Sequence, residues 1–443
     1  MKIVFVGAGS LFFEGVAVEI AAAPELHDAT ISLFDPDAVR LDLIQRVTLR
    51  ISAHFGANLT VVKAESLAQA LEGADVVISS IGVHGPGQSW HQLDVEAVAP
   101  LGIMQTTGDT VGPTGISQGL RLIPLYIHLA REMERYCPNA WLLNHSNPMG
   151  PICRAVSKFS KIRVIGYCHN VVYTLRRFAE FLNVKEKDLD AVVAGVNHQV
   201  WLLSLIHKGK DALPQLRDIL ANLTDSQLID RRFTLELLDL TGLYLLGGDR
   251  HVLEFFPHAR KPAEPKDIGY NLKWRRDMIT ENLLSAELSK GAADLGKRAS
   301  GEAPLVFPEG VSPEAMGHQV TALLNGPDIV HVVNLPNEGA VPNAPPWAVL
   351  EMKAVIGMNG ARPVHVGELP PVAARWTLAQ IYAHELLVDA AAEQSRYKAI
   401  QALACDPMVK DFSEPEKILD ALVAVQGERL AAFRAHPKER FVV

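Results

Sequence analysis

The chain is poor in cysteine: four in 443 residues, at Cys137, Cys153, Cys168 and Cys405, with no Cys-x-x-Cys pair. So few thiols exclude a disulfide framework and imply reduced cysteines and a cytoplasmic address. Basic residues are not in excess either. Lys and Arg number 42 against 50 Asp and Glu, and the net charge of −8 lacks the basic surface that nucleic acid or an anionic membrane would require. No apolar run approaches the roughly 20 residues needed to span a bilayer. Internal repeats, low-complexity tracts and long linkers are absent. The opening MKIVFVGAGS has the lysine and short apolar run of a secretion signal, yet it flows straight into a glycine turn, so it reads as a strand.

What is present is an ordinary globular balance, 48% apolar and 21% charged, in a chain too long for one ordinary core. Two lobes are expected. In the first, residues 2–8 form a short apolar strand that passes through Gly7, Gly9 and Ser10 into a helical stretch at 11–23. A second apolar strand at 29–35 ends in Asp35. Glycines at that turn let the backbone approach a pyrophosphate, the helix N-terminus stabilises its charge, and an acid ending the second strand holds ribose hydroxyls. The third glycine of G-x-G-x-x-G is missing, with Phe12 in its place. The acid favours NAD over NADP, because it repels a 2′-phosphate.

Further strands are expected at 75–82, 140–146 and 163–168, with helices at 116–136 and 170–182 between and after them. This alternation implies a parallel, doubly wound sheet whose site lies at the carboxyl ends of the strands. The residues able to do chemistry sit at those ends: Gly82, 144–148, and Cys168, His169 and Asn170. His198 likewise follows an apolar strand and an asparagine. Taken alone, Cys168 reads as a buried apolar thiol and His198 as a satisfied structural histidine. Together a thiolate and an imidazole can hold one divalent ion with positions left open for substrate, and ligand softness by itself suggests zinc.

Several stretches together resemble glycoside hydrolase family 4, glycosidases that use NAD and a divalent metal. They are GAGS (7–10), GDTVGPTGISQGLRLIP (108–124), NHSNPMG (144–150), YCHNV (167–171), GVNHQVW (195–201), GDRHVLEFFP (248–257), VVNLPNEGAVPNAP (332–345) and PVHVGELPP (363–371). They occur in family order along nearly the whole chain. The resemblance implies an NAD-binding Rossmann-type domain over 1–198, similar to that of lactate and malate dehydrogenases. An α+β substrate domain over 199–443 is implied to follow it.

The resemblance also implies a route to glycosidic cleavage unlike the usual carboxylate pair. In such enzymes a hydride passes from C3 of the sugar to NAD, the acidified C2 proton is removed, and the C1 substituent is eliminated before water adds and the hydride returns. Cys168 and His198 are the implied metal ligands, for manganese rather than zinc, because sugar oxygens complete the shell. Asn147 is implied to bind the sugar near C2 and C3, and Asp109 is a second substrate contact, with helix capping or a turn as its alternative. Asp249 is the implied base, Tyr244 its alternative, and His251 an assistant.

Members that act on 6-phosphorylated sugars carry Asp, or Asn followed by Val-Pro, after the metal cysteine. His169 stands there in this chain and makes an unphosphorylated sugar the expected substrate, with His169 the candidate acid. Asn170 departs from relatives with Cys-His, which carry Glu, Ser or Gly. The stretches at 108–116 and 242–255 look most like α-galacturonidase members, and Arg250, Arg275 and Arg276 are available for a uronate. Activities on α-galactosides, α-glucosides and α-glucuronides are the alternatives, and a plain dehydrogenase of sugars or hydroxy acids is the competing class. A glycoside is the expected partner, without nucleic acid or membrane. The family is commonly dimeric or tetrameric, and the apolar helical stretch at 373–391 is a candidate face for another subunit.

Overall fold

The protein is described here from a computed structural model covering residues 1–82, 84–85, 88–224, 226–259, 269–281, 283–307 and 312–435. Six parallel strands, Thr60–Lys63, Thr30–Phe34, Lys2–Val6, Val76–Ser79, Trp141–Asn144 and Arg163–Gly166, lie side by side in that order. The order reverses beside Lys2–Val6, which opens a crevice at the carboxyl ends of Lys2–Val6 and Val76–Ser79.

The strands read as continuous apolar runs because both faces are covered. Ile3, Phe5, Ile31 and Leu33 point into one core, while Val4, Val6, Val77 and Leu142 point into the other. Helices Phe12–Ala22 and Ala38–Phe55 are among the elements covering the first face. The second of these starts at Asp37, whose side chain accepts from the N–H groups of Val39 and Arg40, and ends at Gly56 in the left-handed region. Helices Gly112–Tyr136 and Met149–Phe159 cover the other face.

The second half does not build a separate sheet. Ile329–Pro336 pairs antiparallel with Arg163–Gly166, and Val349–Gly357, Leu189–Val196 and Gln199–His207 continue outward from it. Residue 198 falls in the tight turn of the Leu189–Val196 and Gln199–His207 hairpin, so the sheet runs through the expected domain boundary. Helix Pro371–Ala392 packs back on the first half. Its apolar face is covered by its own chain: Leu387, Val388 and Ala391 join the core under Gly112–Tyr136, and a Cβ on Gly119 would lie 2.7 Å from Leu387. Arg154 fastens it with two bonds to Glu385, of 2.7 and 2.9 Å. Among the described residues no helix is long and apolar enough to cross a membrane.

The tail also fixes the loop that leads into Gly112–Tyr136. Val111 offers that helix no capping side chain, and buried Asp406 supplies the acceptor instead, taking the Gly112 N–H at 2.9 Å. Burial raises the Asp406 carboxyl from 3.8 to about 6, although the N–H groups of Met408 and Gly112 oppose it. A folded-state value above the unfolded one makes the stabilising contribution largest below the unfolded value and lost as pH rises through the folded one. The substitution Asp406→Asn sets an amide against one of the two N–H groups at a fixed cost, but as pH rises from about 4 to 7 its stability relative to the parent is expected to improve by about 1–3 kcal/mol. Thermal midpoints of the two proteins across that range check this, and a difference independent of pH would contradict it.

Candidate active site

The first cluster lies in the crevice at the switch point. Gly7 has φ +78°, and a Cβ there would stand 2.4 Å from the Ser80 carbonyl oxygen, so only glycine allows this approach of two strand ends. The Gly9 N–H donates to Asp35 Oδ2 at 2.9 Å, and Ser80 Oγ donates to Ser10 Oγ at 3.1 Å. Phe12, in the place of the third glycine, opens helix Phe12–Ala22 and lies with its ring 4.3 Å from that of His145. Gly82 is exposed beyond strand Val76–Ser79. A side-chain-free cradle with an acid across it suits a pyrophosphate and ribose.

The second cluster gathers Asp109, His198 and His251, whose ligand-type atoms all lie within 4.8 Å of one another. Each arrives from a different part of the chain. His198 sits in the hairpin turn with φ +66°, buried, its ring 4.0 Å from that of His251. His251 belongs to the short helix Asp249–Val252 and has its Nδ1 3.6 Å from Asp109 Oδ1. Asp109 Oδ2 accepts from Asn147 Nδ2 at 3.0 Å. Asp109 does not cap the following helix.

Hydrogen-bond sense fixes the state of His198. Thr110 Oγ1 donates its one proton to Asp109 Oδ1 at 2.8 Å and lies 2.9 Å from His198 Nδ1. Nδ1 must then be the donor, which leaves the lone pair on Nε2 as a metal ligand requires. Burial pushes the His198 imidazole well down, and neighbouring His251 adds to this. Burial would push Asp109 up, but His251 and His198 outweigh it and hold the carboxyl well below its usual range. The buried atoms Asn147 Oδ1, Asn197 Oδ1 and His251 Nδ1 have no hydrogen-bond partner. Acceptors left bare around imidazoles suit a divalent ion and the hydroxyls of a sugar.

Cys168 lies beyond strand Arg163–Gly166, buried, and is not one of the three clustered ligands. Its thiol is pushed well up by burial and by Glu351, against the opposing pull of the Asn170 backbone and the Asn197 side chain. Asn197 Nδ2 donates to Glu351 Oε2 at 2.8 Å, so the residue beside His198 is held by a buried carboxyl. Burial raises Glu351 to about 7. His169 is more exposed, with Nδ1 3.4 Å from Glu314 Oε1. Asn170 opens helix Asn170–Leu182 with its Nδ2 buried and unpartnered.

Two expected residues lie elsewhere. Asp249 is fully buried, and its oxygens accept the N–H groups of Phe233 and Thr234 at 2.8 and 2.9 Å, in the first turn of helix Arg232–Thr241. Burial raises its carboxyl to about 7. Tyr244 is held by the same turn, accepting from Thr234 Oγ1 at 3.4 Å, and burial raises it to about 12. Neither hydrogen-bonds to the Asp109 cluster. Arg250 is also committed, with Nη1 2.5 Å from Asp230 Oδ2. Arg275 is different. Its Nε reaches Thr107 Oγ1 at 3.4 Å, and among the described residues it has no carboxylate in ion-pair range.

Sequence reasoning did not single out Thr110, Asn197, Glu254 or Glu351. Glu254 follows His251 and turns its buried carboxylate onto the N–H groups of Thr106, Thr107 and Gly108. Both Glu254 and Asn197 fall inside stretches already noted, and only their contacts give them roles.

Comparison with known proteins identifies the family. The profile described as "Family 4 glycosyl hydrolase" matches residues 2–184, and that of the family's C-terminal domain matches 193–409. An α-galacturonidase of Bacillus subtilis (strain 168) is 30% identical, across 96% of this chain and 97% of its own. The crystal structure of lplD from the same species superposes with a TM-score of 0.81 at 27% identity, covering 95% and 99% of the two chains. A 6-phospho-α-glucosidase from gut microorganisms, solved in complex with NAD and Mn2+, shares the fold with a TM-score of 0.81 at 23% identity, over 97% and 98%. With both halves matched in order, the chain belongs to the family 4 glycosyl hydrolases.

Proposed function

We propose that the protein hydrolyses α-glycosides of an unphosphorylated sugar, an α-galacturonide in the first instance, using NAD and a divalent metal such as manganese. The observation that carries this reading is the convergence of Asp109, Asn147, His198 and His251 around bare buried acceptors, beside a dinucleotide-type crevice. When bound, NAD supplies a hydride acceptor for C3, and the ion supplies Lewis acidity for charge developing along C2 and C3.

The chain's own residues do the rest. Gly7, Gly9, Ser10 and Asp35 cradle the dinucleotide, with Gly82 at the mouth of the crevice. His198 offers Nε2 to the metal and Cys168 its sulfur, with Asp109 and His251 on the same face. Asn147 and Asp109 orient the hydroxyls at C2 and C3, and Asn170, whose buried Nδ2 has no partner, is assigned to the same sugar. Proton removal at C2 is assigned to the short helix Asp249–Val252. Asp249, at about 7, has the proton affinity a base requires, and His251 is its residue that touches the cluster. Tyr244 is the alternative base. His169, the most exposed of the set, is placed to protonate the leaving group.

The uronate reading rests on Arg275. Arg250 is neutralised by Asp230, whereas Arg275 stands beside Thr107 without a carboxylate among the described residues. A charged guanidinium of this kind matches a carboxylate by paired N–H donation. The likeness to an α-galacturonidase points the same way.

Cys168→Ser and His198→Ala should each lower metal-dependent turnover of a chromogenic α-galacturonide by about 100-fold or more, with NAD affinity within about twofold of the parent. Full activity of either variant in the presence of a chelator would exclude the metal assignment. Substrate deuterated at C2 should lose its label to solvent during turnover; complete retention would exclude proton abstraction there. Arg275→Met should lower kcat/KM on the α-galacturonide by about 10- to 100-fold while changing that on an α-galactoside by less than about threefold. Equal losses on the two substrates would assign Arg275 to the fold instead.

A further inference from the structure

We infer that Glu254 is a positioning residue whose buried carboxylate clamps the loop carrying Asp109 against the segment carrying His251, and so sets the spacing of the metal-holding face. The inference rests on the reading of that face as a metal site. Glu254 Oε1 accepts the N–H groups of Thr106, Thr107 and Gly108 at 2.7, 2.8 and 2.9 Å, and the Thr106 hydroxyl oxygen lies 3.1 Å away. Its Oε2 accepts Gly108 N–H again at 3.0 Å. Three successive N–H groups converge on one carboxylate, a concave arrangement that binds anions. Gly108 turns through φ +68°, and a Cβ on it would stand 2.1 Å from Thr114 Oγ1.

A second seam runs beside the first. The Arg250 carbonyl accepts the hydroxyls of Thr106 and Thr107. His251 lies between the two seams, and Asp109 follows directly after the clamped residues. The separation of Asp109 from His251 is thus held at both ends by the segment from Arg250 to Glu254. Asp109 carries a like charge close to Glu254, and that charge opposes the arrangement.

The test uses Glu254→Gln, nearly isosteric but with an amide turned against the N–H groups, on the full chain with NAD present. Mn2+ affinity by electron paramagnetic resonance should weaken about tenfold or more, and kcat should fall about 10- to 100-fold with KM within about threefold. NAD affinity should stay within about twofold, and amide exchange at residues 106–108 should quicken about tenfold or more. Mn2+ affinity unchanged within twofold, or NAD and Mn2+ affinities falling together, overturns the inference, as does unchanged exchange at 106–108. If Glu254→Gln does not fold, Thr106→Val removes the hydroxyl that lies between the two seams. It should shift Mn2+ affinity and exchange in the same directions by about threefold, and no shift overturns the clamp. Parent protein that binds no Mn2+ overturns the metal reading instead, and the exchange rates then decide the clamp alone.

Discussion

The Asp109 carboxylate is where four distant parts of the chain meet, and the arrangement of the site depends on it. One oxygen takes the Asn147 amide from the end of a first-half strand. The other takes Thr110 and stands near His198 from the hairpin and His251 from the second half. A carboxylate in this setting would be costly to bury alone, and the two imidazoles and the hydroxyl make it stable. The same contacts orient His198 through Thr110, so the charge at Asp109 decides which imidazole nitrogen is left to bind.

This meeting is possible because the molecule is organised around one sheet. The parallel strands bring Asn147 and Cys168 to their carboxyl ends, as the doubly wound topology requires. The antiparallel strands of the second half then extend the same sheet and deliver His198 at a turn. Helix Pro371–Ala392 returns over the first half and closes its core. The two halves matched by separate family profiles therefore share one sheet, and residues of both meet at Asp109. His198 also shows how local strain serves the site, since its positive φ turns an imidazole inward where a strand residue would alternate outward.

Strand–helix alternation in the first half was legible because each strand is buried on both faces and so reads as an apolar run. The turn at Gly7 and the acid at Asp35 were legible because their chemistry needs particular residue types at short spacing. Asp109, Asn147, Cys168 and His198 were legible as strand-end or motif residues. Asp249 was legible as a motif residue, whereas its bonds to the start of helix Arg232–Thr241 were not.

By itself the sequence determined the fold class, the dinucleotide crevice and the family, because these follow from periodicity, glycine placement and motif order along the chain. Tertiary structure alone decided which motif residues face one another. Glu254 reaching Thr106, Glu351 reaching Asn197 and Asp406 reaching Gly112 are contacts between residues far apart in sequence. Each is a buried carboxylate whose role comes from the N–H groups around it, and no local pattern announces those groups before the chain has folded.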